Sequence, residues 1–445
     1  MDLARVASPY NQLVNKRDFL KVSLGSMLAA DAQTPRRNWA GNHTYHAKNL
    51  LVPKTVAEAR QMVKSASTLK ALGTAHAFNG IADNDVNQIS LRELRAMQLS
   101  ADKRTVTVGA GVKYGELAPY LQANGVAVHN LASLPHISVA GGCATATHGS
   151  GTGNLSTAVA AMEFVTADGE SVKLSQKDAD FAGAVVHLGG LGVVTSLTLN
   201  VVPAFDVSQV VYENLSFQHL ESNLEGIFAS GYSVSLFTDW QKHMASEVWV
   251  KSKGKDTGRK DFFGAKRLER NVHPIIALDA VNCTEQRGIP GPSYERLPHF
   301  RMNFTPSSGD ELQSEFFVDR RNGYAAIAAV ETLRDQITPH LLITELRSIT
   351  RDDLWMSTAY GRDSLAIHFT WKPHGKEVAA LIPRIEAKLA PYAYRPHWAK
   401  LFTPSPAHMK AVYPKLPEFL KLMKKYDPKG KFRSGFLAAT LPPVA

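Results

Sequence analysis

The sequence predicts an α+β protein built in two parts. Up to Pro203, short strand-like runs mix with amphipathic helices. From Phe205 the texture changes to alternating strands separated by polar loops, the pattern of an antiparallel sheet with one solvated or one lined face. With 445 residues and 44% hydrophobic content, the chain can bury a sizeable core without staples. That length suits two to three domains, or one large two-domain enzyme.

The elements follow in order. Asn15-Lys16-Arg17-Asp18-Phe19-Leu20-Lys21 precedes a mild apolar run, Val22–Ala30, and Ala30-Asp31-Ala32 offers small residues for cleavage. The pattern fits a twin-arginine export leader with Lys16 in place of the first arginine, or equally a short surface helix. Residues 1–37 are set apart as a leader-like segment, so the protein is expected to be cytoplasmic, or exported if that leader works. Val56–Ser67 reads as a helix after Pro53, Leu69–Leu72 as a strand stopped by Gly73, and Gln88–Ser90 and Thr105–Val108 as strands. Lys113–Asn124 is a helix with Gly125 as its stop. Glu163–Ala167 and Ser171–Leu174 flank Asp168-Gly169, a hairpin signal, and Leu191–Pro203 is a further β run. In the second part the expected strands are Val207–Tyr212, Tyr232–Phe237, Glu247–Val250, Gln313–Val318, Leu341–Ser348 and Ser364–Thr370. Lys376–Leu389 and Leu416–Lys425 are helices, and Asp427-Pro428-Lys429-Gly430-Lys431-Phe432 is a turn-rich terminal segment.

Composition excludes several classes. The net charge is +10, and eight Lys and Arg between Lys251 and Arg270 read as a basic surface loop. No zinc-ligand spacing, RNA-recognition aromatics or heptads accompany them, so neither nucleic-acid binding nor a metal centre is expected. Cys143 and Cys283 are expected as buried free thiols. No stretch is long and apolar enough to span a membrane. A monomer is expected.

Two glycine segments imitate a nucleotide fingerprint. In Val108-Gly109-Ala110-Gly111-Val112-Lys113-Tyr114-Gly115 the third glycine comes one position late, and no acidic residue ends a second strand at the expected distance. Gly189-Gly190-Leu191-Gly192 leads into a strand, so no helix N-terminus follows it. Three other segments are more telling: Gly73–Gly80, Leu131–Gly142 and Thr145–Gly153. Each reads as a loop of small residues whose N–H groups can approach a pyrophosphate. Their chemistry alone says that a large anionic ligand is plausible.

Together these segments resemble the FAD-binding domain of the vanillyl-alcohol oxidase superfamily, of the PCMH type, and within it the bacterial alditol oxidases. The likeness extends over Asn38–Asn42, Leu131–Gly142, Thr147–Gly151, Leu188–Thr198, His368–Lys372, Arg395–Lys400 and Asp427–Leu437. It implies a two-subdomain FAD-binding domain over residues 38–205, a substrate-binding cap over 206–410 and a segment, 411–445, that returns to the FAD domain. It also implies that His76 bonds covalently to the flavin 8α-methyl, a single attachment. A neutral imidazole nitrogen is a competent nucleophile for that carbon. The family usually reads Gly-Ser-Gly-His-Ser there, and Thr74, Ala75 and Ala77 depart from it. Beside His76, the implied FAD contacts are Thr74, Ala75, Ala77, Phe78, Asn79, Ala132, Ser133, His136, Ser138, Gly141, Gly142, Thr145, Thr147, His148, Gly149 and Val194. A second tether through cysteine would need that residue near Ser133 or Leu134, and Cys143 lies too far along.

In the second part, Glu345 and Arg347 share one strand face, as do His368 and Thr370 on another strand. If these strands and the one beginning at Gln313 are neighbours, their polar faces form a patch. Such a patch is either solvated or buried with partners, and a polyol supplies a row of hydroxyls that donate and accept. The resemblance implies the second case, with Ser133, Gln313, Glu345, Arg347, His368, Thr370 and Lys400 around the substrate. Catalysis is then expected of Arg347 and Lys400 on the reacting oxygen, with Glu345 keeping Arg347 oriented and His368 among the groups in contact. The implied reaction converts a primary hydroxyl of an alditol, of the xylitol or sorbitol type, to the aldose by hydride transfer to flavin N5, and oxygen becomes hydrogen peroxide. Ala132, small and next to Ser133, is expected to leave oxygen an approach. The alternatives are an aldonolactone oxidase or dehydrogenase, and more remotely a non-catalytic binding protein on a flavoprotein fold.

Overall fold

The computed structural model describes residues 35–256, 258–304 and 311–444, which form helices and mainly antiparallel sheets, the expected α+β class. The leader-like segment falls almost entirely outside these residues. Arg36–Ala445 forms one compact unit.

Three sheets lie in the part up to Pro203, the smallest pairing Val126–Ala127 with Val202–Pro203. Another is parallel and three-stranded, in the order Asn49–Leu51, Asn87–Ile89, Lys70–Ala71. The third is antiparallel and five-stranded, in the order Met97–Leu99, Thr105–Gly109, Val193–Asn200, Val159–Val165, Ser171–Ser175. The Val56–Ser65 helix starts where the Thr55 hydroxyl accepts from the Glu58 N–H, and it buries Ala59 and Val63 one turn apart.

A ten-stranded antiparallel sheet opens at Asp206. Its centre runs Asp206–Ser216, Met244–Lys253, Ser233–Thr238, Leu341–Ile349, Ser364–Trp371, Leu312–Asp319. The register sets Gln313 opposite Thr370, Glu315 opposite His368, and His368 opposite Glu345. Alternation sends Phe316, Val318, Ile367 and Phe369 to the other face, into one core with Ala326, Ile327 and Val330 of the Gly323–Glu331 helix and Val378, Leu381 and Ile382 of the Gly375–Leu389 helix. Each such fully buried apolar side chain contributes roughly 1.5–3 kcal/mol. That apolar face fixes which residues of these strands turn away from the helices.

Several expectations are corrected. The Leu131–Gly142 segment is not all loop: Val139–Ala144 is a helix, capped by the Ser138 hydroxyl accepting from the Gly141 N–H. Its paired glycines carry low helix propensity, and the cap and burial override it. The Lys251–Arg270 stretch is not simply a surface loop, since it contains the strands Asp261–Phe262 and Ala265–Arg267. Lys251 itself is buried in the sheet, its ammonium donating to the Pro298 carbonyl at 3.3 Å. The helices Phe217–Phe228, Gly323–Glu331, Pro406–Val412 and Gly435–Thr440 were not read from the sequence. Both cysteines are free and buried, as expected. Among the described residues, no helix is long and apolar enough to cross a membrane.

Candidate active site

One cavity joins the three small-residue segments to the polar face of the large sheet. Its first wall is the Leu72–Phe78 loop, tied down by Trp39. The Trp39 N–H donates to the Ala75 carbonyl at 2.8 Å, and the Trp39 ring stacks on the His76 ring at 5.1 Å. Ala75 sits at φ +60°, the left-handed region, where a Cβ costs roughly 1–2 kcal/mol relative to glycine. The backbone therefore keeps a glycine-like turn at a position that carries alanine. Burial pushes the His76 pKa down to about 4. The ring is thus neutral at physiological pH. Its Nδ1 lies 2.9 Å from the Thr74 carbonyl, and its Nε2 is buried without a partner.

The second wall is the Ser138–Gly142 region. A Cβ on Gly73 or Gly141 would come within 2.8 or 2.7 Å of the Ser138 hydroxyl, so only glycine lets these segments close together. Lys70, not foreseen from the sequence, also lines the cavity. Its buried ammonium donates to the carbonyls of Leu188, Gly189 and Phe432, and burial draws its pKa down to about 7.

The sheet supplies the third wall. Arg347, His368, Gln313 and Glu315 face the cavity together with Lys400, His397 and His148. Glu315 is fully buried. It accepts from Arg347 Nη2 at 2.7 Å through one oxygen and from Lys400 Nζ at 2.8 Å through the other. His148 Nε2 stands 3.2 Å from the first of these oxygens. Burial works to raise the Glu315 pKa, but Lys400, His148 and Arg347 hold it well below the usual carboxylate range. Burial lowers the pKa of Lys400, and Glu315 opposes that shift.

Glu345 pairs electrostatically with Arg347 and hydrogen-bonds to His299. Its Oε1 accepts from His299 Nε2 at 2.8 Å, while Arg347 Nε is 3.6 Å away, beyond a hydrogen bond. Glu315, not Glu345, therefore holds the guanidinium by a hydrogen bond. Glu315 and Glu345 lie in the same cross-strand row with His368, and Glu345 is turned to His299, which leaves Glu315 as the carboxylate that the long Arg347 side chain reaches diagonally. Burial and Lys400 lower the His368 pKa to about 4, so this ring too is neutral. Its Nδ1 lies 3.7 Å from Glu345, and its Nε2, like Arg347 Nε, makes no hydrogen bond within the protein.

Of the residues expected at the cofactor, His76, Thr74, Ala75, Ala77, Phe78, Ala132, Ser133, Ser138, Gly141, Gly142, Thr145, Thr147, His148 and Val194 line the cavity. Asn79, His136 and Gly149 stand behind it. Asn79 donates to the carbonyls of Trp398 and Lys400 at 2.9 and 2.7 Å, and so fastens the Lys400 loop to the His76 loop. His136 bonds the Phe304 carbonyl at 2.7 Å. On the substrate side Ser133, Gln313, Arg347, His368 and Lys400 line the cavity, and Glu345 and Thr370 do not. Glu315, His397, Trp39 and Lys70 are cavity residues that sequence reasoning missed. The alternation Gln313-Ser314-Glu315 was the available signal for Glu315.

The cavity meets the demands of FAD. Small residues let a long ligand lie against the backbone, and a neutral imidazole with a partnerless nitrogen faces the same space as the polar sheet.

Comparisons agree with this reading. Residues 47–175 match a family model described as FAD binding domain, and residues 304–440 match one described as D-arabinono-1,4-lactone oxidase. The chain is 45% identical over 407 residues to an alditol oxidase of a Streptomyces species, covering 90% of this chain and 97% of that one. It is 28% identical over 442 residues to an L-gulono-1,4-lactone dehydrogenase of Mycobacterium tuberculosis, covering 91% and 99%. Cholesterol oxidase from B. sterolicum superposes with a TM-score of 0.75 at 14% identity, over 92% of this chain and 96% of that one, a likeness of fold.

Proposed function

The chain belongs to the alditol oxidase family of FAD-binding oxidoreductases, and from that premise we propose how its own residues carry out FAD-dependent oxidation of an alditol. The observation that carries the reading is the set of buried polar atoms on cavity residues that make no hydrogen bond within the protein: His368 Nε2, His76 Nε2 and Arg347 Nε, the last with only a 3.6 Å ion pair to Glu345. Buried polar groups in a folded protein find partners, so these atoms mark where a polar ligand completes the site. Arg347 offers a donor and neutral His368 an acceptor, the pair that one hydroxyl satisfies. A row of hydroxyls extends the match to Gln313, Ser133 and Lys400.

The flavin, when bound, accepts the hydride from the reacting carbon. Around it Arg347 and Lys400 hold the oxygen on which negative charge develops. His368, neutral and open at Nε2, receives the hydroxyl proton, and Glu345 beside Nδ1 stabilises the imidazolium that forms. Gln313 and Ser133 fix the chain of hydroxyls, and Thr370 supports Gln313 from the neighbouring strand.

His76 is the proposed covalent link. Denatured wild-type protein is expected to stay yellow after acid precipitation, and His76→Ala to release all its FAD into the supernatant. Complete release from the wild type would dismiss the link.

Ala132 is buried and lines the cavity beside Ser133. Ala132→Val is expected to slow reaction of the reduced enzyme with oxygen more than it slows reduction by polyol. Stopped-flow measurement of the two half-reactions checks this; equal slowing would make Ala132 a packing residue only.

A further inference from the structure

We propose that His43, His46 and Asp83 bind one divalent transition-metal cation, of the zinc type, beside the segment that carries His76. The ligand atoms lie within 4.8 Å of one another. Asp83 Oδ2 is 2.9 Å from His43 Nε2 and 2.7 Å from His46 Nδ1. With metal–ligand bonds of roughly 2.0–2.1 Å, tetrahedral ligand atoms sit about 3.3 Å apart. The two Asp83 distances need therefore open by about half an ångström, and the two imidazole nitrogens, no more than 4.8 Å apart, settle to about the same separation.

The carboxylate is already set for this. Its Oδ1 accepts from the backbone N–H groups of His46 and Asn84 at 3.0 and 2.9 Å, which turns Oδ2 toward both rings. Such outer hydrogen bonds orient a metal ligand before the metal arrives. Access is open as well. The His46 side chain is 69% exposed, against 21% for His43 and 10% for Asp83, so water can fill the remaining positions. Two imidazoles and one carboxylate favour zinc, nickel, cobalt or copper over magnesium or calcium. Sequence spacing gave no hint, because Asp83 follows His46 by 37 residues.

The position gives the cation a mechanical role. Asn38 and Asn42 donate to the carbonyls of Ala77 and Phe78 at 2.9 and 2.8 Å. Trp39, between them, stacks on His76. A cation on His43, His46 and Asp83 cross-links this loop to the chain just beyond Phe78, and so stiffens the wall that holds the His76 ring. The cation site stands independently of the substrate assignment.

The test is calorimetric titration of tag-free, EDTA-treated, FAD-loaded full chain with zinc chloride, paired with thermal unfolding. The wild type should take up one zinc per chain with a rise in Tm. His46→Ala, which removes an exposed side chain, and Asp83→Asn should each weaken that uptake at least ~10-fold, the range seen even for outer ligand partners. Rival sites are the buried group His148, Glu315 and His397, whose occupation would survive His46→Ala, and the exposed pair His340 and His374, whose Nδ1 atoms lie 2.9 Å apart. His340→Ala should leave uptake unchanged. The proposal is overturned by a wild type that binds no zinc, or by uptake that survives His46→Ala, whether or not it disappears in His340→Ala.

Discussion

Arg347→Ala is expected to lower turnover by about 10²- to 10³-fold while FAD content stays near wild type, because one positioned donor to a developing oxyanion is worth that much. Arg347 meets the condition behind the figure. It is buried, its Nη2 is tied to Glu315 at 2.7 Å, and its Nε makes no hydrogen bond within the protein, its ion-pair partner Glu345 standing 3.6 Å away. A donor held in place by a carboxylate does not need to reorganise when charge appears. Arg347→Lys should not restore the rate, since a lysine ammonium lacks the rigid planar fork whose separate Nη2 and Nε donors point to Glu315 and to the cavity. Lys400→Ala should fall in the same range, because Lys400 shares Glu315 through its other oxygen. Steady-state kinetics with bound flavin quantified by absorbance decides the matter. Activity within a few-fold of wild type in both alanine variants would remove these cations from the mechanism.

The second large effect is on stability. Glu315→Gln removes the negative charge that Arg347 and Lys400 share inside the protein. Breaking a buried ion pair while its partner stays buried costs about 3–5 kcal/mol. Urea unfolding should show a loss of that order, together with a large fall in turnover. The pH dependence has a definite direction. The folded pKa of Glu315 lies well below its unfolded value. Its stabilisation is therefore complete above an unfolded pKa of ~4.3 and fades as pH falls through the folded value. Wild type should lose this share of stability only in acid below that point. In Glu315→Gln the share is missing at neutral pH, so the stability gap between the two proteins should narrow as pH drops. A gap independent of pH would mean that the charge of Glu315 is not what the fold depends on.

The sequence made some parts of this molecule legible and hid others, for physical reasons. The central strands Leu341–Ile349, Ser364–Trp371 and Leu312–Asp319 were readable because one face is apolar and packed while the other is polar, which is a period-two signal. That Arg347 and His368 share one site was implied by the family resemblance, since alternation alone left their polar faces either solvated or buried. The identity of the carboxylate between Arg347 and Lys400 was not implied. Glu315 and Glu345 both alternate correctly, and only the contacts made across the strands, with Glu345 turned to His299, say which one meets both cations. The Val139–Ala144 helix was hidden by its glycines, whose presence serves close approach rather than helix formation. Lys70 and Lys251 look like surface lysines in a basic chain, and only backbone carbonyls distant in sequence explain their burial.

Those distant carbonyls have a consequence for how the protein is made. Phe78 is bonded to the Ala399 carbonyl at 2.7 Å, Asn79 reaches the Lys400 carbonyl across 321 residues, and Lys70 reaches Phe432 across 362. Contacts that far apart come late in folding, because the entropy of closing so large a loop is lost before they can contribute. A nascent chain that has just displayed His76 lacks Lys400 and Phe432, which are still to be synthesised. The pocket is therefore a post-translational object. A chain that ends before Lys400 and Phe432 lacks the carbonyls that Asn79 and Lys70 bond in the complete cavity wall.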